Sequence, residues 1–130
     1  MRIVLTTENA EVNKYCMEAQ ADEIYGPEIL DYFSTDELEE LMEIWAKALR
    51  VDGKITIGGT DLFILCKNAV NRNKELVEVN NILFGRTNAI KSITSIESTK
   101  DFLSSLGFTI SNINLDYDSC LYSVEAYKEW

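Results

Sequence analysis

Apolar positions in this chain follow two periods, a short one typical of buried strands and a longer one typical of amphipathic helices. β-branched or alternating runs at 2–6, 22–26 and 54–58 predict three strands. Ahead of the third strand, large apolar residues recur every three or four positions and predict a long helix that starts after Ser34. Glu37 lies three residues after Ser34, which is the signature of a capping box. The pattern therefore predicts strands that alternate with a capped helix, as in an α/β unit.

The other segments continue this alternation. Further helices are predicted at 7–20, 62–72, 74–84 and 95–106, and a helical turn at 29–33. The first helix would bury Val12, Tyr15, Cys16 and Ala19, with Asn9 as its cap. Most apolar side chains of 62–72 are expected to be buried. The long helix is expected to end at 51–53, with Gly53 suited to a positive φ.

Two alternating runs close the chain, at 108–115 and 120–127. They follow one another so closely that they must form an antiparallel hairpin, with a bulge expected near 111–112. Strand–helix alternation followed by this hairpin predicts an α/β fold with an open, mostly parallel sheet and one antiparallel strand. We expect a single domain over 1–130.

Composition and charge then limit the classes of function. Of the 130 residues, 46% are hydrophobic, which is enough for one core. The formal net charge of −10 disfavours binding to nucleic acid or to an anionic membrane surface, because phosphates would be repelled. No apolar run approaches the ~20 residues that span a bilayer. The chain begins with a strand pattern rather than a signal peptide, so we expect a cytoplasmic protein.

Side chains that commonly carry catalysis or bind metals are scarce. There is no histidine, which removes the commonest general base and the usual partner of nucleophilic serine or cysteine. Cys16, Cys66 and Cys120 are far apart, and each has apolar neighbours in sequence. We predict reduced core thiols, with neither a disulfide nor a metal site.

A set of short motifs runs in a fixed order through 22–128. The segments are D-E-I-Y at 22–25, I-L-D-Y-F at 29–33, A-L-R-V-D-G-K at 48–54 and I-T-I-G-G-T-D at 55–61. They resemble the fourth strand, the V-L-E-H-F segment, the V-L-K-P-G-G turn and the fifth strand with its V-P-D exit in class I S-adenosylmethionine-dependent methyltransferases. Similar but weaker matches are L-F-G at 83–85, I-K-S at 90–92 and L-G-F at 106–108. The resemblance implies a Rossmann-like methyltransferase-type sheet, of which the chain holds the carboxyl-terminal half.

The resemblance also shows what this chain lacks. That family binds S-adenosylmethionine with a glycine-rich loop after its first strand, where the backbone approaches the ligand closely. An acidic residue at the end of the second strand then takes the ribose hydroxyls. Here the corresponding loop is Thr6-Thr7-Glu8-Asn9, without glycine, and 1–21 can hold only one strand and one short helix. We therefore expect the amino-terminal strands and half of the cofactor site to be missing.

The first functional hypothesis is a non-catalytic methyltransferase-like module that binds a partner or a second copy. Missing strands would leave one edge of the strand at 2–6 unpaired, and exposed edges are rarely left bare. A homodimer that covers this edge is the simplest remedy. Under this hypothesis the chain alone does not bind S-adenosylmethionine.

The second hypothesis is a minimal enzyme whose S-adenosylmethionine site is completed by a dimer or a partner subunit. Tyr25, Gly26, Asp31 and Asp61 are then the candidate cofactor-binding residues, because they lie at the carboxyl ends of strands. Each also has an ordinary interpretation: sheet surface for Tyr25, a turn for Gly26, a solvated acid for Asp31 and a helix cap for Asp61. An unrelated α/β fold, or a subunit that completes another methyltransferase, stays open as well. No catalytic residue and no metal ligand is predicted.

Overall fold

The computed structural model describes residues 1–14, 16–84 and 91–129. Its strands are β1 (Arg2–Val4), β2 (Ala21–Gly26), β3 (Leu49–Thr60), β4 (Phe108–Asp116) and β5 (Leu121–Lys128). Its α-helices are α1 (Thr35–Ala48), α2 (Leu62–Val70), α3 (Leu76–Phe84) and α4 (Ile96–Ser105), with short 3-10 helices at Val12–Lys14 and Ile29–Tyr32. Tyr15 and the segment 85–90, which contains part of two weaker motif matches, lie outside the described residues.

The five strands form one open sheet in the order β1-β2-β3-β5-β4. The β1–β2 and β2–β3 pairs are parallel, whereas β5 is antiparallel to both β3 and β4. Four strands therefore share one direction, and β5 alone opposes them. The predicted neighbours at the centre are confirmed, since Ile24 of β2 is opposite Ile55 of β3. The predicted bulge is confirmed by a register shift between Ile110 and Asn112.

The helices α1 and α4 pack on one face of the sheet. Because β1, β2, β3 and β4 follow one another in the same direction across the sheet, right-handed crossovers bring every connection to the same side. Trp45 and Met42 of α1 and Leu103 of α4 accordingly share one hydrophobic core with Ile55 and Val124 of the sheet. The described part of the fold has two layers rather than the three of a doubly wound sheet.

The opposite face of the sheet carries a row of alternating charges. The Arg2 Nε lies 2.7 Å from Glu23, Lys54 Nζ lies 3.3 Å from Glu23, and the same Nζ lies 3.1 Å from Glu125. The row thus crosses β1, β2, β3 and β5, one residue per strand. The hydrogen bond to Glu125, and then that to Glu23, raise the pKa of Lys54. Paired charges are stable in water, so this face is suited to solvent although parallel sheets usually have both faces covered.

The long helix, α1, begins as predicted and is held in place by hydrogen bonds at several points. The Ser34 and Glu37 side chains form the expected capping box. The Trp45 Nε1 donates a buried hydrogen bond of 2.8 Å to the carbonyl of Ala10. At the other end, Lys128 Nζ donates to the last carbonyls of the α1 region, 2.7 Å from the oxygen of Ala46. A cation there is favourable because unpaired carbonyls accumulate at a helix C-terminus.

The predicted end of the long helix is wrong. The helix stops at Ala48 and the chain enters β3 without a loop. Asp52, not Gly53, has the positive φ, at 67°. Gly53 is required for space instead, since a Cβ there would lie 2.8 Å from the carbonyl oxygen of Arg50.

The predicted helix at 7–20 is also wrong, because the described part of this segment contains only the 3-10 helix Val12–Lys14. Asn9 does not cap a helix. Its Oδ1 accepts from the amide of Thr6 at 2.7 Å, and its Nδ2 donates to the carbonyl of Val4 at 2.9 Å. Side-chain bonds of this kind offer the backbone an alternative to helical bonds. Ala19, expected in the core, is exposed with φ of 57°.

The prediction that the helix at 62–72 buries most of its apolar side chains is also wrong, although the position of the helix is confirmed. Of the apolar residues in α2 only Leu65 is buried, and α3 buries none. Phe63 is 65% exposed and Val70 is 80% exposed. Among the cysteines, Cys16 and Cys120 are buried as expected but Cys66 is exposed, and all three are free thiols.

Tyr122 of β5 anchors α4 to the sheet and makes folding sensitive to alkali. Its hydroxyl lies 2.6 Å from both Thr94 Oγ1 and Thr99 Oγ1. Burial raises the pKa of Tyr122 to about 12. An unfolded tyrosine ionises near 10, so the stability this group contributes is complete below pH ~10 and is lost as the pH rises toward 12.

We therefore expect the free energy of unfolding to fall by about 2 kcal/mol between pH 9.5 and 11.5 because of Tyr122 alone. Urea unfolding across this range measures it. Tyr122→Phe should start from a lower stability, having lost the hydroxyl bonds, but should show a shallower decline. Parallel declines in the two proteins would contradict this role for Tyr122.

Candidate functional site

The carboxyl ends of β1 and β2 border a small crevice, at the edge of the sheet where open α/β folds bind ligands. Its volume is about 260 Å³. The lining residues are Leu5, Thr6, Thr7, Gly26, Pro27, Glu28, Ile29 and Tyr32. Pockets for small-molecule ligands usually measure ~300–1,000 Å³, so this crevice is below that range.

The loop after β1 is closed by its own side chains. Thr6 Oγ1 accepts from the amides of Asn9 and Glu8, at 3.2 and 3.3 Å, while Asn9 holds the amide of Thr6. In a loop that binds an anionic or polar ligand, such amides point at the ligand. Here three of them are already satisfied within the loop.

Gly26 lines the crevice, but the atoms packed closely against it belong to protein side chains, which leaves no room there for a ligand to approach the backbone. A Cβ at Gly26 would lie 2.9 Å from the Cβ of Leu5 and 3.1 Å from the Cβ of Ile29. Leu5 itself is only 6% exposed. The glycine thus allows β1 and the following turn to pack over the end of β2, and Leu5 fills the space above it.

Tyr25 faces the opposite side of the sheet from the core. It pairs with Val4 and Thr56, one row along the same face from Arg2, Glu23 and Lys54. The guanidinium of Arg2 lies 4.8 Å from the centre of its ring. Tyr25 is not among the residues that line the crevice, and its position agrees with a sheet-surface role.

Asp31 is fully buried, so its interpretation as a solvated acid is wrong. Its Oδ1 accepts from the amide of Thr60 at 2.9 Å and its Oδ2 accepts from Thr60 Oγ1 at 2.8 Å. Gly59 leaves room for this contact, since a Cβ there would lie 2.5 Å from Asp31 Oδ1. The carboxylate therefore joins the turn after β2 to the end of β3.

Asp61 caps α2 and also binds the first turn of α4, whose own N-cap is Ser95. Its Oδ1 accepts from the amide of Ile64 in α2, and its Oδ2 accepts from the amide of Ile96 in α4, both at 2.8 Å. Its own amide donates to the carbonyl of Cys120. The helix-cap interpretation is confirmed, and the second helix is an addition that no local sequence signal indicates.

The structure thus brings Asp31 and Asp61 to either side of Thr60, with Gly26 in a separate crevice and Tyr25 on the other face. Both oxygens of each carboxylate are hydrogen-bonded to protein groups. In 1–14, 16–84 and 91–129, no group of three possible metal ligands comes together. Across the same residues no helix has the length and apolar character to cross a bilayer.

The direction in which successive strands are added to the sheet, here called its winding, bears most directly on ligand binding. Open α/β sheets bind ligands where the strand order reverses, because helices on opposite faces diverge there and leave a crevice. In the described strands the connections β1 to β2, β2 to β3 and β3 to β4 all run in the same direction. The sheet therefore has no point of reversal between them.

Comparisons with known proteins identify the fold. No family model matches the chain, and no curated protein sequence does. A possible exported protein from Bordetella parapertussis has a similar structure, with TM-score 0.65 and 18% identity over 90% of this chain and 42% of its own. A SAM-dependent methyltransferase from Archaeoglobus fulgidus gives 0.63 and 13%, over 95% of this chain and 66% of its own.

A third solved structure, the 1,6-didemethyltoxoflavin-N1-methyltransferase of Burkholderia thailandensis, contains bound S-adenosylhomocysteine. It gives a TM-score of 0.61 and 14% identity, over 92% of this chain and 48% of its own. The chain therefore has the fold of class I S-adenosylmethionine-dependent methyltransferases. It spans less than two thirds of the length of the proteins it resembles.

Removing the Asp61 carboxylate should loosen α2 and α4 together. Because an amide hydrogen bond of this kind is worth about 0.5–2 kcal/mol, as in a helix cap, we expect Asp61→Ala to lower the free energy of unfolding by about 1–4 kcal/mol. Asp61→Asn keeps one acceptor and should lose about half as much. Urea unfolding measures both, and equal losses in the two variants would contradict the role of both carboxylate oxygens.

Proposed function

We propose that this chain is a non-catalytic methyltransferase-like module that acts by assembly, first of all with a second copy of itself. The observation that carries the proposal is the single direction of winding. Without a reversal in the strand order, the described sheet lacks the crevice in which a nucleoside cofactor is held in open α/β folds.

The closed loop after β1 and the filled space above Gly26 support the same conclusion. Amides that bind their own loop do not offer hydrogen bonds to a ligand. Opening the crevice would require Leu5 to leave the core, at a cost of about 2 kcal/mol or more. The S-adenosylhomocysteine in the Burkholderia enzyme is a property of that protein.

Self-association is supported by the surfaces that the fold leaves exposed. β1 pairs on one side only, and the α2–α3 region exposes several large apolar side chains. Exposed apolar surface of this kind marks an interaction site in proteins of this size. The acidic composition and the free thiols support a cytoplasmic setting and argue against nucleic acid as the partner.

The second candidate is a minimal S-adenosylmethionine-dependent methyltransferase whose site is completed by another chain. The position of β1 at the edge of the sheet favours it. A strand added beside β1, with its helix on the charged face, would create the missing reversal and a crevice beside Gly26. Tyr25, which faces that side, would then lie under the added helix.

Calorimetry with S-adenosylmethionine and with S-adenosylhomocysteine tests the cofactor part. We expect no saturable heat and no shift in the melting temperature at millimolar ligand, with the Archaeoglobus enzyme as the positive control. One ligand per two chains would favour the completed-site alternative. One ligand per chain, bound by a monomer, would overturn the non-catalytic proposal.

Light scattering coupled to gel filtration tests the assembly part. We expect a mass near twice 14.8 kDa at micromolar concentration. A monomer throughout the accessible concentration range would refute self-association, whatever the calorimetry shows.

A further inference from the structure

The α2–α3 hairpin, residues 62–84, exposes more apolar surface than a free surface element should. Its most exposed large apolar residues are Phe63 at 65%, Val70 at 80%, Leu76 at 74%, Val77 at 70% and Phe84 at 69%. No residue of α3 is buried. An isolated helix of fewer than ~12 residues is marginal in water, and helices in proteins are stabilised chiefly by packing of an apolar face.

The hairpin is also slightly basic, in an acidic chain. It has three basic residues, Lys67, Arg72 and Lys74, against two acidic ones, Glu75 and Glu78. The whole chain has a formal charge of −10. The rest of the molecule is therefore strongly acidic and attracts the hairpin.

A groove of complementary character lies between α1 and the N-terminal segment. Its volume is about 400 Å³. Its floor is formed by Ala10, Phe33, Leu41 and Ile44, and its rim by Thr7, Glu8, Glu11, Lys14, Glu37 and Glu40. Lys14 is paired with Glu11 at 2.7 Å, so the glutamates set the charge of the rim.

We propose that two copies of this chain form a symmetric dimer in which the hairpin of each enters the α1 groove of the other. The proposal rests on the self-association in the proposed function and specifies its interface. A two-fold axis makes this exchange reciprocal, so the two contacts close the assembly instead of extending it. Apolar side chains of the hairpin would meet the apolar floor, and Lys67 and Arg72 would meet the glutamate rim.

Two other dimers are less well supported. Packing hairpin against hairpin would bring Lys67 and Arg72 close to their own copies, which is unfavourable. Pairing β1 edge to edge offers a strand of three residues, on which the Val4 carbonyl is already hydrogen-bonded to Asn9. Short strands of this kind are one way in which sheet edges avoid pairing.

Charge reversal on each surface tests the interface. One variant carries Lys67→Glu and Arg72→Glu in the hairpin, and the other carries Glu8→Lys and Glu40→Lys on the groove. Glu37 is left unchanged because it belongs to the capping box of α1. We expect each variant alone to bind itself at least ten times more weakly than the wild type, since like charges then face each other in both contacts.

Mixing the two variants is the decisive measurement. In a heterodimer the acidic hairpin meets the basic groove and the wild-type hairpin meets the wild-type groove, so we expect a one-to-one dimer as tight as the wild type. Light scattering and native mass spectrometry give the mass and the composition, and circular dichroism checks that both variants are folded. A groove variant that dimerises normally, or a mixture that stays monomeric, would overturn the interface.

A matched pair of valines tests the apolar part. Val70→Ser, in the hairpin, should weaken the dimer about tenfold, whereas Val51→Ser should leave it unchanged although Val51 is also exposed, at 48%. Equal effects would overturn the proposal. A dimeric wild type that ignores all these substitutions refutes only the hairpin–groove contact, whereas a monomeric wild type refutes self-association itself.

Discussion

The right-handed crossover is the constraint on which the rest of this structure depends. Right-handed connections that advance the same way across a sheet all lie on the same face of it. From β1 to β4 every connection in this chain advances the same way. The described residues between β1 and β2, 5–14 and 16–20, contain a single 3-10 turn and no further strand. The two-layer architecture, the open face and the absence of a reversal point among the described strands all follow from this short connection.

An open face on a parallel sheet is unusual, and its side chains explain how it is tolerated. The charges alternate from strand to strand, so each long side chain finds an opposite charge beside it and covers the backbone below. Thr56 lies on the same face, two residues from Lys54, and is only 4% exposed. Within the described residues its hydroxyl is the one buried side-chain oxygen or nitrogen without a hydrogen-bond partner. On this face, cross-strand charge pairs therefore cover the sheet, as a second layer of helices does in doubly wound folds.

Much of the fold could be predicted from periodicity and local signals, and the failures have identifiable physical causes. The strands around Ile24 and Ile55 and the capped start of α1 were predictable because pattern and capping agree there. The prediction of a helix at 7–20 failed because the side chains of Thr6 and Asn9 hydrogen-bond to nearby backbone groups instead. Helical spacing predicts α3 correctly, but spacing alone does not reveal whether the surface that its apolar face packs against is in the same chain.

For the candidate site, the sequence indicates Asp61 as a helix cap, but it indicates neither the buried role of Asp31 nor the second contact of Asp61. Nothing local indicates that Asp31 binds Thr60, 29 residues away, or that Asp61 reaches Ile96, 35 residues away. Leu5, which fills the space above Gly26, could be predicted only as part of a buried strand. Long-range contacts of single side chains are set by packing, which one sequence does not display.

The carboxylate of Asp61 has one more consequence. Because the same side chain binds the first turn of α2 and the first turn of α4, the base of the hairpin is held at the end of β3. A hairpin held at its base loses less orientational freedom when it docks, so more of its contact energy contributes to affinity.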